Sequence, residues 1–272
     1  YGLVQQTIFF ILYHLLHYRR AVVDENLLYS FPERSDEERR AIAKRFYDFL
    51  AEQFVNTISV AGISAAKMRR NLTFSDKEHY IRSVEGRDVV LMGGHYGCWE
   101  YYNTIGLHDS SHVAVGVYHP LKSSVIDELF KRLRQGDNVE LVPRDECLRY
   151  FIKSRGSQKH LALGLIADQN QYVQKDMKWF KFLNQDTLFA EGGEQLAMKL
   201  SVPVWFMGMR RRRRGEYELF CVELYDGVEP VERHEITERY VRQLEAMICE
   251  CPELWLWSHR RWKYRKENID KQ

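Results

Sequence analysis

Val90-Leu-Met-Gly-Gly-His-Tyr-Gly-Cys-Trp-Glu100 is the stretch on which the reading of the chain turns. An apolar run, Val89 to Met92, stops at Gly93-Gly94, and a helical pattern begins near Cys98. Strand, glycine turn and helix make up one unit of an α/β sheet, in which ligands and reacting groups gather at the carboxyl ends of strands. Glycines at such a turn take backbone angles closed to other residues and let a substrate approach closely. His95 sits on the turn. Residues five apart on a regular helix differ by about 140°, so His95 and Glu100 can meet only if the histidine precedes the helix and the glutamate lies in its first turn. The Glu100 carboxylate would then hold one imidazole nitrogen and leave the other free as a base toward a hydroxyl. This is a His–acid pair without a protein nucleophile. The H-E-x-x-H spacing of a zinc site is absent, and neither a metal nor a cofactor is expected.

Outward from this unit, short apolar runs recur at Val113 to Tyr118, Val139 to Val142 and Leu161 to Ala167, which read as buried strands. Helical patterns lie between them at Cys98 to Leu107, Ser124 to Arg134 and Asp145 to Ser154. The alternation predicts an α/β fold, a mostly parallel or mixed central sheet flanked by helices. Glu191 to Leu200 reads as another helix, Val202 to Met209 and Glu216 to Tyr225 as a hairpin turning at Gly215, and Ile236 to Ile248 as a last long helix. Ahead of the sheet, Ser35 to Val60 is a helix opened by a capping box, Ser35 with Glu38, and Ser75 with Glu78 opens a shorter one through Val84. One domain over 35–272 accounts for these patterns, with 1–34 as a helical extension.

The extension carries Ile8 to Leu16, IFFILYHLL, followed by Tyr18-Arg-Arg20. A bilayer core needs roughly 20 apolar residues to be crossed by a helix, and no small-residue cleavage pattern follows the run. The aromatic and cationic flank points to a membrane-associating helix, an anchor or one lying at the interface, with a buried helix as the alternative. The five cysteines are odd in number and scattered, which suits packed thiols in a reducing surrounding better than a disulfide framework. A net charge of +2 conceals two basic patches. One is Arg210 to Arg214, with Arg211, Arg212 and Arg213 at its centre; the other mixes Trp257, Arg260 and Arg261. Both are expected to meet anions or a membrane surface. No nucleic-acid motif accompanies them, so nucleic acid is not an expected partner.

Four blocks in order resemble the late acyltransferases of lipid A biosynthesis, within the lysophospholipid acyltransferase-like group. They are Tyr18 to Leu27 with Phe31-Pro-Glu33, then Gly94-His-Tyr-Gly-Cys-Trp-Glu100, then Ala167-Asp-Gln169, and finally Trp255-Leu-Trp-Ser-His-Arg-Arg-Trp-Lys263. The resemblance implies a glycerolipid acyltransferase-like fold and transfer of a fatty acyl chain from an acyl carrier protein thioester to a hydroxyl of a lipid A precursor. A glycolipid, an ornithine-type lipid or a lysophospholipid is the alternative acceptor. It implies His95 as general base and Glu100 as its orienting partner. Gly94, Arg134, Asp168 and Gln169 would serve the substrate or the oxyanion. Cys98 stands where the family commonly has Asn. The implied location is the cytoplasmic face of the bacterial inner membrane, as a peripheral or monotopic protein.

Overall fold

The computed structural model describes residues 2–60, 64–118, 120, 123, 127–128, 131, 138–154, 159–169 and 177–269. Seven strands form the main sheet: β1 (Leu72–Phe74), β2 (Val89–Gly93), β3 (His112–Tyr118), β4 (Val139–Pro143), β5 (His160–Ile166), β8 (Val204–Arg213) and β9 (Glu216–Tyr225). Their order is β1-β9-β8-β2-β5-β3-β4. Every neighbouring pair is parallel except the β8–β9 hairpin. A second, two-stranded antiparallel sheet joins β6 (Trp179–Phe182) to β7 (Gln185–Leu188). The α/β architecture expected from the alternation is the one found.

β2 occupies the middle of the sheet because all five of its residues can be buried, as a strand covered on both faces requires. It pairs with β5 in parallel, Val89 opposite Ala162 through Gly93 opposite Ile166. The pairing continues past the last strand residues, where Ala167 N–H donates to the Gly93 carbonyl at 3.2 Å. Two residues further on, the two chains carry His95 and Asp168.

The long helix α3 (Asp36–Val60) starts as its sequence indicates. Ser35 Oγ accepts from Glu38 N–H at 3.2 Å, and Glu38 accepts from Ser35 N–H at 2.7 Å. The second capping box does not form. The helix Lys77–Val84 begins after Asp76 in a left-handed conformation, and the Ser75 hydroxyl donates instead to the Leu219 carbonyl of β9. The Leu219 carbonyl, which also accepts from the Ser75 backbone N–H at 2.9 Å, takes that hydroxyl in place of the helix end. The segment expected as an α-helix after His95 is a 3-10 helix, Trp99–Leu107. A 3-10 turn, Arg144–Glu146, precedes the α-helix Cys147–Ser154. The helix expected over 124–134 falls mostly outside the described residues.

At the N-terminus, α1 (Gly2–Phe10) passes into one π-helical stretch, Ile11–Leu15, and α2 (Arg20–Ser30) follows. Among the described residues no helix is long and apolar enough to cross a membrane. α1 lies on α3: Gln5 is fully buried there, its amide donating to the carbonyl and carboxylate of Asp48 at 3.1 Å. α2 sends Val23 and Leu27, and the residue after it, Phe31, into the same core as the sheet.

Gly97 lies in the left-handed region at φ +59°, where a Cβ would sit 3.1 Å from Met209 Cβ. Gly97→Ala combines backbone strain with a clash and is expected to lower stability by about 1–3 kcal/mol. Urea unfolding checks this; an unchanged midpoint would show that the loop relaxes freely.

Candidate active site

His95 and Asp168 meet because β2 and β5 are parallel neighbours in fixed register. Each residue lies two places beyond a matched pair, Gly93 and Ile166. The Asp168 carboxylate takes three hydrogen bonds. His95 ring Nδ1 lies 2.6 Å from Oδ1, and Oδ2 accepts from the His95 backbone N–H at 2.8 Å and from the Trp255 indole N–H at 2.8 Å. Gly94 makes the approach possible, since a Cβ there would lie 2.8 Å from Leu244 Cδ1 and 3.4 Å from Asp168 Oδ2.

A carboxylate only accepts, so its partner Nδ1 carries the proton of the imidazole. The lone pair is then on Nε2. Gln169 stands against it, with its amide nitrogen 3.0 Å from Nε2. About a fifth of the His95 side chain is open to solvent, while Asp168 is sealed. Trp99 packs edge-on against the imidazole, with ring centroids 5.6 Å apart, and Phe49 of α3 backs Trp99 in turn. Burial alone would push the Asp168 carboxyl up. The His95 charge and the hydrogen bonds from His95 and Trp255 outweigh it and hold the carboxyl down at about 2.

The carboxylate that orients His95 is therefore Asp168. The expected hydrogen bond to Glu100 is corrected on this point, because each ring nitrogen has one bonding direction and Asp168 and Gln169 take them. Glu100 is buried in the first turn of the 3-10 helix, and its Oε2 accepts from Asn103 Nδ2 at 3.3 Å. A 3-10 turn replaces the α-turn on which the expected pairing was drawn. Cys98 is buried and its thiol is pushed well up by burial, so it packs as an apolar group rather than a nucleophile. Arg134 lies outside the described residues.

The two basic patches differ from expectation. Arg211 and Arg213 point to Glu52 and Glu216, Arg212 pairs with Glu218, and Arg214 with Asp48. The arginines continue strand β8, where cross-strand carboxylates are in reach, instead of forming a bare turn. Arg212 and Arg213 remain largely exposed while paired. Trp257 and Arg261, expected at a membrane surface, are buried, whereas Arg260 is exposed. The Trp257 indole donates to the Pro252 carbonyl at 2.6 Å. The Arg261 guanidinium donates to the Leu188 carbonyl at 2.5 Å and lies over the Phe189 ring, and burial draws its pKa down to about 10.

This C-terminal segment is the back wall of the site. Trp255 holds Asp168, Tyr96 bridges to Trp255 along the backbone, and Gly97 N–H donates to the Leu254 carbonyl at 3.0 Å. His259 belongs here too. Burial, then the charge of Arg261, holds its imidazole down at about 4 despite the Asp168 charge, so it stays neutral. The sequence placed Trp255 and His259 in a block that resembles the family but gave neither a contact at the Asp168 side of the imidazole, and it did not identify Trp99 as a neighbour of the ring.

A histidine held by a buried carboxylate, at the carboxyl ends of two central parallel strands of an α/β sheet, has the arrangement that general-base chemistry on a protic nucleophile requires. The family described as bacterial lipid A biosynthesis acyltransferase matches residues 5–264. The chain belongs to that family. It is 24% identical over 262 residues to the lipid A biosynthesis lauroyltransferase of Escherichia coli K12, covering 92% of this chain and 81% of that one. It is 22% identical over 251 residues to the lipid A biosynthesis palmitoleoyltransferase of the same strain, covering 91% and 79%. A Haemophilus influenzae lipid A biosynthesis acyltransferase is 20% identical over 259 residues, covering 94% and 80%.

The lowered Asp168 pKa sets a stability dependence on pH. A carboxyl depressed in the fold contributes stability above its unfolded value of 3.8, and that contribution is lost as pH falls through about 2. Asp168→Asn should lower stability at neutral pH and flatten the loss between about pH 4 and 2. Chemical denaturation across this range measures it, and parallel wild-type and variant profiles would contradict it.

Proposed function

We propose that the protein transfers a fatty acyl group from an acyl carrier protein thioester to a hydroxyl of a lipid A precursor, working on the cytoplasmic face of the bacterial inner membrane. The observation that carries this reading is the His95–Asp168 pair in a chain of the lipid A acyltransferase family. An acceptor hydroxyl is a poor nucleophile at neutral pH. His95 Nε2 takes its proton as the oxygen attacks the thioester carbonyl, and Asp168 fixes the tautomer and balances the imidazolium. The same proton then goes to the departing thiolate. General-base help of this kind contributes about 100- to 10,000-fold; positioning and oxyanion stabilisation supply the remainder.

Glu100 acts one step away in this account. Through Asn103 it holds the turn that sets Trp99 against the imidazole. The N-terminal helices supply the membrane contact. Leu3, Val4, Phe10, Leu15 and Leu16 are all exposed there, an apolar display that suits the headgroup–acyl boundary of a bilayer. Arg212, Arg213 and Arg260 are among the exposed cations that can meet an anionic surface or an acidic carrier, because exposed ion pairs exchange partners at little cost.

His95→Ala should stay folded and lose at least about 100-fold in acyl transfer from acyl carrier protein to an under-acylated lipid A. Mass spectrometry of lipids from cells with and without the protein identifies the acceptor. Lipid A should lack one acyl chain in cells without it. A change confined to a glycolipid, an ornithine-type lipid or a phospholipid would reassign the acceptor, and undiminished transfer by His95→Ala would end the mechanism.

A further inference from the structure

Only one nitrogen of the His95 imidazole carries a lone pair that can take a proton, and it is not vacant. Nδ1 is committed to Asp168 at 2.6 Å, and the Nε2 lone pair faces the Gln169 amide nitrogen at 3.0 Å. A hydroxyl that gives its proton to Nε2 must first displace that amide. Gln169 follows Asp168 directly in the chain, so one short segment beyond β5 both anchors the ring and covers its reactive face. Gln169 is half-buried, whereas Asp168 is sealed. The anchor is therefore fixed, while the cover has solvent on one side into which it can turn.

Water is the competitor that such an arrangement addresses. The imidazole is partly open to solvent, and water carries the same O–H group as an alcohol. With an uncapped base, a bound thioester would be hydrolysed whenever the acceptor is absent. A lipid acceptor brings binding energy from groups remote from its hydroxyl and can use it to break one hydrogen bond at the base. Water brings none.

We propose that Gln169 is a positioning residue that caps the catalytic base until the acceptor displaces it, so that the enzyme favours acyl transfer over thioester hydrolysis. This rests on the acyl-transfer reading of the site. In transfer, the acceptor O–H displaces the Gln169 N–H from Nε2 and gives its proton to that nitrogen. Its oxygen bonds to the thioester carbonyl carbon, the C–S bond breaks, and the proton on Nε2 passes to the sulfur. In hydrolysis water takes the place of the acceptor, and free fatty acid leaves in place of the ester.

The test follows dodecanoyl-acyl carrier protein with the full chain, with and without under-acylated lipid A, and measures free dodecanoate against acylated lipid. Gln169→Leu keeps bulk and removes the donor; Gln169→Ala is the second variant should leucine not be accommodated. The ratio of hydrolysis to transfer should rise on the order of three- to tenfold, the worth of one neutral hydrogen bond. In parallel, 15N NMR should show the Nε2 resonance of His95 moving while the Nδ1 proton toward Asp168 is kept; a purely structural role for Gln169 would disturb both. Wild-type transfer with an unchanged ratio in the folded variants overturns the cap alone. A wild-type protein that consumes no thioester in either condition overturns the acyl-transfer reading and the cap with it.

Discussion

The parallel register of two central strands is the constraint on which everything else in the molecule depends. β2 and β5 are matched residue for residue, and the residues that follow them inherit the match. An imidazole and a carboxylate 73 positions apart in the chain thus arrive at one height and one edge. A slip by one residue would turn either side chain to the opposite face of the sheet. The surroundings work against such a slip. β2 is buried throughout, and Gly94 leaves the room that the carboxylate occupies. Trp255 then supplies the remaining donor to a carboxylate that could not otherwise be buried with its charge.

The C-terminal segment extends this dependence. Its tryptophans and Arg261 carry polar tips on apolar bodies, the composition that also marks a membrane interface. In the fold those tips donate to carbonyls, to Asp168 and to the Thr187 hydroxyl, so the segment goes inward and braces the site. Contact with the bilayer falls instead to the N-terminal helices in the proposed function. There the exposed leucines and Phe10 have no polar tip to satisfy and no core left to fill.

Much of this was legible in the sequence. The strand running into Gly93, the histidine on the turn and the Ser35–Glu38 cap each follow from local chemistry, while Asp168 at another strand end came from the family resemblance; the structure reproduces all four. The pairing of His95 was not legible. Two acids were in view, Glu100 five residues away and Asp168 at another strand end, and only the strand order decides between them. Strand order is set by how the whole sheet closes over its helices, which no local pattern encodes. The partners of the basic run were hidden for a related reason: Arg210 to Arg214 read as a patch open to anions or a membrane, while the cross-strand acids Glu216 and Glu218 become its neighbours only once the hairpin forms.

Acyl transfer by Asp168→Asn and Glu100→Gln, compared in proteins shown to be folded, tests the central claim most directly. An asparagine at 168 leaves the shape and removes the acceptor that fixes the imidazole tautomer. Transfer should fall about 1,000-fold or more, as for the buried aspartate of a catalytic triad, while Glu100→Gln should stay within about tenfold of wild type, as expected of a group acting through packing. Near wild-type transfer by Asp168→Asn together with a dead Glu100→Gln would contradict the account and return the role of orienting carboxylate to Glu100.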